Sequence, residues 1–347
     1  MTLYVASDNP AYQTLRDKGI DVQSADKAGT NAKHVLLINQ MPFDALDDTI
    51  LGWADLIQKS TKNPDRDVIV TFAEPDGFRA QESAATNRET QTKYPTFSQV
   101  RDVKYDGLIV TGANAEKKIE KNLREHHDPF RGVFGWASMK EIFKYAAAEN
   151  CGCFFSCVSG PMALYHYNGI EPKIAGTKLF GRSKLRAVDQ SGNVPSHIQR
   201  LVDWLKRQDV FLPTARYFRY EPRMARDAGL RTILKAENGE PALMSTQDGR
   251  TMFCAPHPEY RETQIDAEYA RDMEAFGRGA QERPQLINYI PGKTGKSLPW
   301  QPTGVAAMKS WMDGLDSSKP APAPPRPSRT AQTPPGNSGD PSGALYI

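Results

Sequence analysis

Four short apolar segments constrain the fold of this chain more than any other feature of its sequence. Residues 35–39, 68–72, 108–111 and 153–155 are almost entirely apolar and lack the alternation of a half-buried strand. Such runs are typical of parallel strands that are covered on both faces. Apolar residues recur every three to four positions over 134–150, which indicates a helix between the last two segments. The alternation predicts an α/β fold with an open, mostly parallel sheet flanked by helices.

Two more strands and a helix are predicted late in the chain. Residues 242–246 and 251–255 flank Asp248 and Gly249, a dipeptide that favours a tight hairpin turn. These strands should therefore pair in antiparallel orientation, and a helix over 262–276 should follow them.

The composition separates one folded domain, residues 1–316, from a tail at 317–347 that is rich in Pro, Ser, Ala and Gly. We expect this tail to be disordered and solvated, although it could serve as a ligand for a proline-binding module. The net charge of +3 without a long basic run argues against nucleic-acid binding. No apolar stretch is long enough to span a membrane, and four cysteines suit a reducing compartment, so the cytoplasm is the expected location.

Cys157 is the candidate nucleophile. It lies between the apolar segment that ends at residue 155 and a helix that should begin near Pro161. A thiol at this point is close to the positive end of the helix dipole, which favours the thiolate. The backbone N–H of Val158 would point the same way and could stabilise an oxyanion. The alternative is a buried structural cysteine.

His257 and Glu259 follow the second late strand. The prolines at 256 and 258 stiffen this loop, so the carboxylate could hold one imidazole nitrogen while the other faces a thiol. Because ligands collect at the carboxyl ends of strands in open α/β sheets, we expect His257 and Cys157 to share one pocket. A surface turn that happens to contain His and Glu is the alternative.

No metal and no resident cofactor are expected. Cys151 and Cys153 form a C-x-C pair, but no second pair with ligand spacing follows it. The sequence also lacks a glycine-rich dinucleotide or phosphate-binding loop after a strand.

The chain resembles the homoserine O-acyltransferase family, whose fold is related to class I glutamine amidotransferases. The resemblance covers roughly residues 9–311. The stretches that carry it are 9–15 (NPAYQTL), 35–42 (VLLINQMP), 105–113 (YDGLIVTGA), 157–170 and, most specifically, 257–260 (HPEY) with 268–272 (EYARD).

The resemblance implies that Cys157 takes an acyl group from acyl-coenzyme A, with His257 as general base and Glu259 as its partner. It implies that Arg271 binds the carboxylate of an amino-acid acceptor, and we expect Arg216 to assist. It also implies a role in amino-acid biosynthesis, specifically that of methionine, and assembly into a homodimer.

The same resemblance points to acetyl-coenzyme A as the donor. In the family, the position occupied here by Glu116 carries glutamate in acetyl-specific members and glycine in succinyl-specific ones. A carboxylate there would repel the carboxylate of a succinyl group. We therefore expect acetyl transfer to a hydroxyl group.

Several departures from the family pattern concern the acceptor. Asp44 stands where the family usually has lysine, residues 213–216 (PTAR) replace Pro-His-Ser-Arg, and an insertion spans 117–131. The acceptor is therefore expected to be homoserine, serine or another amino acid of a specialised pathway. A glutamine amidohydrolase or a non-catalytic homologue are the alternatives, although Ser156 and Met162 depart from the amidohydrolase elbow.

Overall fold

A computed structural model describes residues 3–61, 67–86, 91–279, 281–290 and 299–316, so the tail at 317–347 lies outside the described residues. The strands in these ranges are β1 (Leu3–Val5), β2 (Val22–Ser24), β3 (Lys33–Ile38), β4 (Val68–Ala73), β5 (Gly107–Val110), β6 (Gly152–Ser156), β7 (Lys173–Ala187), β8 (Val210–Arg219), β9 (Arg231–Ala236), β10 (Pro241–Ser245), β11 (Met252–Cys254) and β12 (Gln285–Ile287).

The helices in the same ranges are α1 (Pro10–Asp17), α2 (Leu46–Ser60), α3 (Phe78–Thr86), α4 (Phe97–Val100), α5 (Glu116–Glu125), α6 (Trp136–Ala148), α7 (Ser159–Asn168), α8 (Ser196–Leu205), α9 (Met224–Asp227), α10 (Glu262–Gly277) and α11 (Gln301–Leu315). Within the described ranges, none of them is long and apolar enough to cross a membrane.

All the strands belong to one sheet, in the order β12-β7-β9-β10-β11-β6-β5-β3-β4-β1-β2, with β8 paired to β7. From β11 to β2 every pairing is parallel, whereas β10, β9, β7 and β8 pair in antiparallel orientation. The predicted mostly parallel α/β sheet is therefore confirmed.

The four apolar segments form the buried centre of this sheet as β3, β4, β5 and β6. Along β3, Val35 and Leu37 pack into the core beneath α2 and α11, whereas Leu36 and Ile38 pack into the core beneath α6 and α7. Successive side chains of a strand point to opposite faces, so helices on both sides make each residue of β3 apolar. The predicted helix between β5 and β6 is α6.

The predicted hairpin is β10 and β11, which pair in antiparallel orientation around Gly249. Gly249 has φ +73°, a left-handed conformation that suits glycine. Strand β11 also pairs in parallel with β6, with Cys254 opposite Ser156. The chain therefore leaves β6 and β11 at the same edge of the sheet, and these two exits position the candidate site.

Candidate active site

Cys157 directly follows β6 and precedes α7, as the sequence predicts. It has φ +54°, and its N–H donates to the carbonyl of Cys254 on the neighbouring strand (2.8 Å). A residue with a side chain in this left-handed region costs on the order of 1–3 kcal/mol, and such residues cluster at active sites. The turn is sharp and the cysteine is almost fully buried.

The residues after Cys157 fix this turn by close contacts. Ser159 Oγ donates to the carbonyls of Ser156 (2.7 Å) and Val110 (3.0 Å). A Cβ atom at Gly160 would lie 2.2 Å from the Tyr220 hydroxyl oxygen, so only glycine fits there. Val158 is fully buried and occupies the position just before the first residue of α7.

His257 and Glu259 lie just beyond β11. The backbone N–H of His257 donates to the carbonyl of Pro213 (2.7 Å), and Nδ1 of its imidazole lies 2.8 Å from Glu259 Oε1. The loop is held between two helices: a Cβ atom at Gly52 of α2 would lie 2.6 Å from the Glu259 carbonyl oxygen. A Cβ atom at Gly304 of α11 would similarly lie 2.7 Å from the carbonyl of the intervening proline.

The thiol and the imidazole meet beside Gly112, which follows β5. A Cβ atom at Gly112 would lie 3.1 Å from Cys157 Cβ and 3.6 Å from His257 Cε1. Burial alone would lower the pKa of His257, but the charges of Cys157 and Glu259, together with the hydrogen bond to Glu259, raise it well above its ordinary value. The structure thus brings Cys157, His257 and Glu259 together at one edge of the sheet.

Tyr260 covers the other side of the imidazole. Its ring stacks on His257, with centroids 4.3 Å apart and planes inclined by 24°. The Tyr260 hydroxyl donates to Glu268 Oε2, and Trp300 Nε1 donates to the Tyr260 carbonyl (2.9 Å). These contacts fix the plane of the imidazole and shield it from solvent.

A cavity of about 350 Å³ opens onto Cys157 and His257. One wall comes from the chain after β3, a second from the chain after β5, and a third from α10. The lining residues that bear on the chemistry are Asp44, Lys117, Lys178, Tyr260, Glu268, Arg271 and Asp272. Cysteine, acid–base pair and charged walls therefore share one space, as nucleophilic transfer to or from a polar substrate requires.

A comparable cleft of about 360 Å³ lies at the other end of β6. Apolar side chains dominate it, and it contains Cys151 and Cys153 but neither His257 nor Glu259. Burial raises the pKa of Cys151 to about 12 and also raises the pKa of Cys153 well above its ordinary value. Both residues should therefore remain unreactive thiols. The polar cavity is therefore the candidate active site.

Lys178 of β7 is buried in the α10 wall between two carboxylates. Its Nζ lies 2.7 Å from Glu268 Oε1 and 2.9 Å from Asp272 Oδ2. Burial alone would lower the pKa of Lys178, but the charges of Glu268 and Asp272 raise it above its ordinary value. Burial would raise the pKa of Glu268, which the charges of Lys178 and His257 instead lower. Lys178 and Glu268 therefore stay charged near neutral pH.

Of the predicted substrate-binding residues, Arg271 lines the cavity. It lies on α10 and its side chain is exposed. Glu116 begins α5, whose next residue, Lys117, lines the cavity, but the side chain of Glu116 is outside the described part of the structure. Asp44, which stands in place of the family lysine, lies in the wall after β3.

Arg216 does not reach the cavity, contrary to the expectation that it assists Arg271. Ala215 and Tyr217 line the cavity, so the alternation of β8 turns Arg216 to the opposite face. There it is buried and its Nη1 lies 2.7 Å from Glu240 Oε1. This placement makes Arg216 part of an internal ion pair rather than a substrate contact.

The sequence assigned no role to Lys178, Tyr260, Glu268 or Asp272. Glu268 and Asp272 are four residues apart on α10 and therefore share a helix face, which was a signal for a paired cation. The cation, Lys178, precedes Glu268 by 90 positions in the sequence and lies in β7, a strand that the sequence pattern does not predict. Only the packing of β7 against α10 identifies it.

Known proteins with similar sequences support one family. The profile of the homoserine O-succinyltransferase family matches residues 2–315. A homoserine O-acetyltransferase from Catenibacterium mitsuokai is 26% identical over 294 residues, covering 80% of this chain and 82% of that protein. A homoserine O-succinyltransferase from Methylococcus capsulatus is 29% identical over 293 residues, covering 81% and 74%.

Among solved structures, a glutamine amidotransferase from Thermotoga maritima superposes with a TM-score of 0.49 and 10% identity, covering 82% of this chain and 99% of that one. A similarity at this level has no weight in assigning the activity. The match of the family profile to almost the whole folded part decides the assignment. The chain belongs to the homoserine O-succinyltransferase family and is an acyltransferase.

Proposed function

We propose that this protein moves an acetyl group from acetyl-coenzyme A to the hydroxyl of homoserine or a related amino acid through an acetyl-Cys157 intermediate. The observation that carries the proposal is the position of His257. Its Nδ1 lies 2.8 Å from Glu259 Oε1, and its ring and the Cys157 side chain both lie next to Gly112. A thiol, a base and an orienting carboxylate in this order form an activated nucleophile.

In the first step the Cys157 thiolate attacks the thioester carbon. The Val158 N–H, at the start of α7, stabilises the negative oxygen of the tetrahedral intermediate. The bond from carbon to the coenzyme A sulfur then breaks, and the departing sulfur takes the proton of the His257 imidazolium. This leaves an acetyl thioester on Cys157 and a neutral imidazole.

In the second step the acceptor enters from the side of α10. Arg271 pairs with its carboxylate, and His257 removes the proton of its hydroxyl as the oxygen attacks the acetyl group. Cys157 leaves as thiolate and the imidazolium is restored. The proposal includes serine and amino acids of specialised pathways as acceptors beside homoserine, because Asp44 and the insertion after Glu116 alter the cavity walls.

The choice of acetyl over succinyl rests on the residue type at position 116. A glutamate at the start of α5, next to the cavity-lining Lys117, would repel a second carboxylate on the acyl group. Location in the cytoplasm, a role in methionine biosynthesis and assembly into a homodimer remain predictions.

Intact-mass measurement after incubation with acetyl-coenzyme A tests the proposal. We expect one acetyl adduct on the native chain, none on Cys157→Ala, and the native amount on Cys151→Ala, whose thiol is buried away from the cavity. Turnover should fall by roughly four orders of magnitude in Cys157→Ala. Adduct formation with succinyl-coenzyme A but not acetyl-coenzyme A would refute the donor. Release of ammonia from glutamine without any adduct would refute acyl transfer.

A further inference from the structure

Phe43 is an exposed aromatic residue in the loop after β3 that borders the cavity, although its own side chain is not among those that line it. Its neighbours Pro42 and Asp44 both line the cavity, yet 40% of the surface of Phe43 is open to solvent. The proposed reaction uses no part of this ring. An exposed aromatic side chain beside a ligand site is a candidate contact for a part of the ligand that extends outside the cavity.

The loop that carries Phe43 is held in place from behind. The Phe43 N–H donates to Glu82 Oε1 (2.9 Å), and Arg79 Nη2 donates to the Met41 carbonyl (2.9 Å). The Arg79 guanidinium also lies over the Phe43 ring, 5.9 Å from its centroid. Phe43 is therefore an ordered ring with the cation on one side.

The support behind Phe43 is an ion cluster with little access to water. Arg79 pairs with both Glu74 and Glu82, and these three side chains are 2%, 1% and 9% exposed. A buried cluster of charges stabilises a fold less than apolar packing of equal volume would, but its hydrogen bonds fix geometry. Here the geometry that is fixed is that of the cavity entrance.

The order of the strands places Phe43 on the side of the acyl donor. The exits of β11, β6, β5 and β3 lie side by side, carrying His257, Cys157, Gly112 and the Phe43 loop respectively. The acceptor must lie near His257 and Arg271, on the side of β11 and α10. The donor must reach Cys157 from the other side, over β5 and β3.

We infer that Phe43 is the stacking platform for the adenine base of the acyl-coenzyme A donor, an inference that rests on the proposed function. The base stacks on the open face of the ring while Arg79 supports the opposite face. Stacking of a purine on an aromatic side chain stabilises the complex without base-specific hydrogen bonds. A ring that is already fixed in position loses little conformational entropy on binding.

The test compares a full donor with one that lacks the nucleotide. In Phe43→Ala the KM for acetyl-coenzyme A should rise about tenfold, whereas the KM for S-acetylpantetheine, which has no adenine, should stay at the native value. Phe43→Tyr, which keeps the ring, should restore the native preference between the two donors. Phe276→Ala is the matched control, because Phe276 is also 40% exposed but lies on α10.

Equal changes in KM for both donors, or no change for either, would overturn the stacking role of Phe43. A tenfold effect in Phe276→Ala that matches the effect in Phe43→Ala would overturn it as well. These outcomes differ from a failure of acyl transfer itself, in which the native chain forms no adduct with either donor and the inference falls with the proposed function.

Discussion

The two sides of the cavity are built by different means. On the nucleophile side, backbone atoms decide the geometry: Cys157 has a left-handed φ, Gly160 leaves no room for a Cβ atom, and Gly112 leaves little. On the α10 side, charges decide it, because Lys178 holds Glu268 and Asp272 in a buried cluster. The first side fixes where atoms are, and the second fixes which charges meet the substrate.

The difference explains which side the sequence reveals. A strand that runs into a sharp turn and a helix leaves a local pattern, and so does a histidine between two prolines. A cation for the α10 carboxylates leaves no local pattern, because Lys178 and Glu268 come together only in the folded chain. Variants on each side should accordingly fail in different ways.

The largest effect is expected for Lys178→Met. Removing the cation leaves the Glu268 and Asp272 carboxylates buried together, which should lower the free energy of unfolding by about 3–5 kcal/mol at neutral pH. Burial without Lys178 raises the pKa of Glu268, whereas in the native chain Lys178 lowers it. The native carboxylate stabilises the fold above the ordinary pKa of glutamate, and this contribution is lost as the pH falls through the lowered value.

The deficit of Lys178→Met should therefore shrink as the pH falls towards the ordinary pKa of glutamate, since the variant can then bury a neutral acid. Urea denaturation at neutral and at acid pH measures this. Lys144→Met is the control, because Lys144 and its partner Glu141 are both more than half exposed and solvent screens their pair, which should contribute little to stability. A loss of stability that is independent of pH would show that the charges of Lys178 and Glu268 do not stabilise the α10 wall.

A smaller loss is expected on the nucleophile side for Gly160→Ala. The new methyl group would lie 2.2 Å from the Tyr220 hydroxyl oxygen, so the first turn of α7 must shift, at a cost of about 1–3 kcal/mol. The shift should also slow acetylation of Cys157. Gly176→Ala is the matched control, because a Cβ atom there meets nothing within 4 Å.

Tyr220→Phe makes this a double-mutant cycle. The Tyr220 hydroxyl has no hydrogen-bond partner among the described residues, so its removal alone should change stability little. In the Gly160→Ala background the same change removes the atom that clashes and should recover both stability and acetylation rate. Additive losses in the double variant would show that the tyrosine does not set the position of α7.

Arg216 and Arg271 show where sequence reasoning stops. The sheet, the turn at Cys157 and the His257 loop follow from patterns within about ten residues of each site. Arg216 lies in β8, a strand that was not predicted, so the face to which its side chain points was unknown. Had β8 been recognised, the alternation of Ala215, Arg216 and Tyr217 would still not say which face borders the cavity. The pairing of β8 with β7 decides that question.

The smallest change in stability, and the most selective change in activity, is expected for Arg271→Ala. Arg271 is exposed in the cavity wall, so its loss should change the free energy of unfolding by less than about 0.5 kcal/mol. Losing a charge-assisted contact to the acceptor carboxylate should raise the acceptor KM by roughly tenfold to a hundredfold. Arg271→Lys should fall between the native and Ala values because lysine cannot form the bidentate pair.

Acetylation of Cys157 separates this effect from general damage. In the proposed mechanism the donor approaches from the side of β5 and β3, so the rate at which the adduct forms should be the same in Arg271→Ala and in the native chain. Arg278→Ala is the control, since Arg278 is an exposed arginine at the end of α10 that pairs with Glu274. A slower acetylation in Arg271→Ala, with an unchanged acceptor KM, would mean that the α10 wall receives the donor, and the assignment of the two sides of the cavity would have to be reversed.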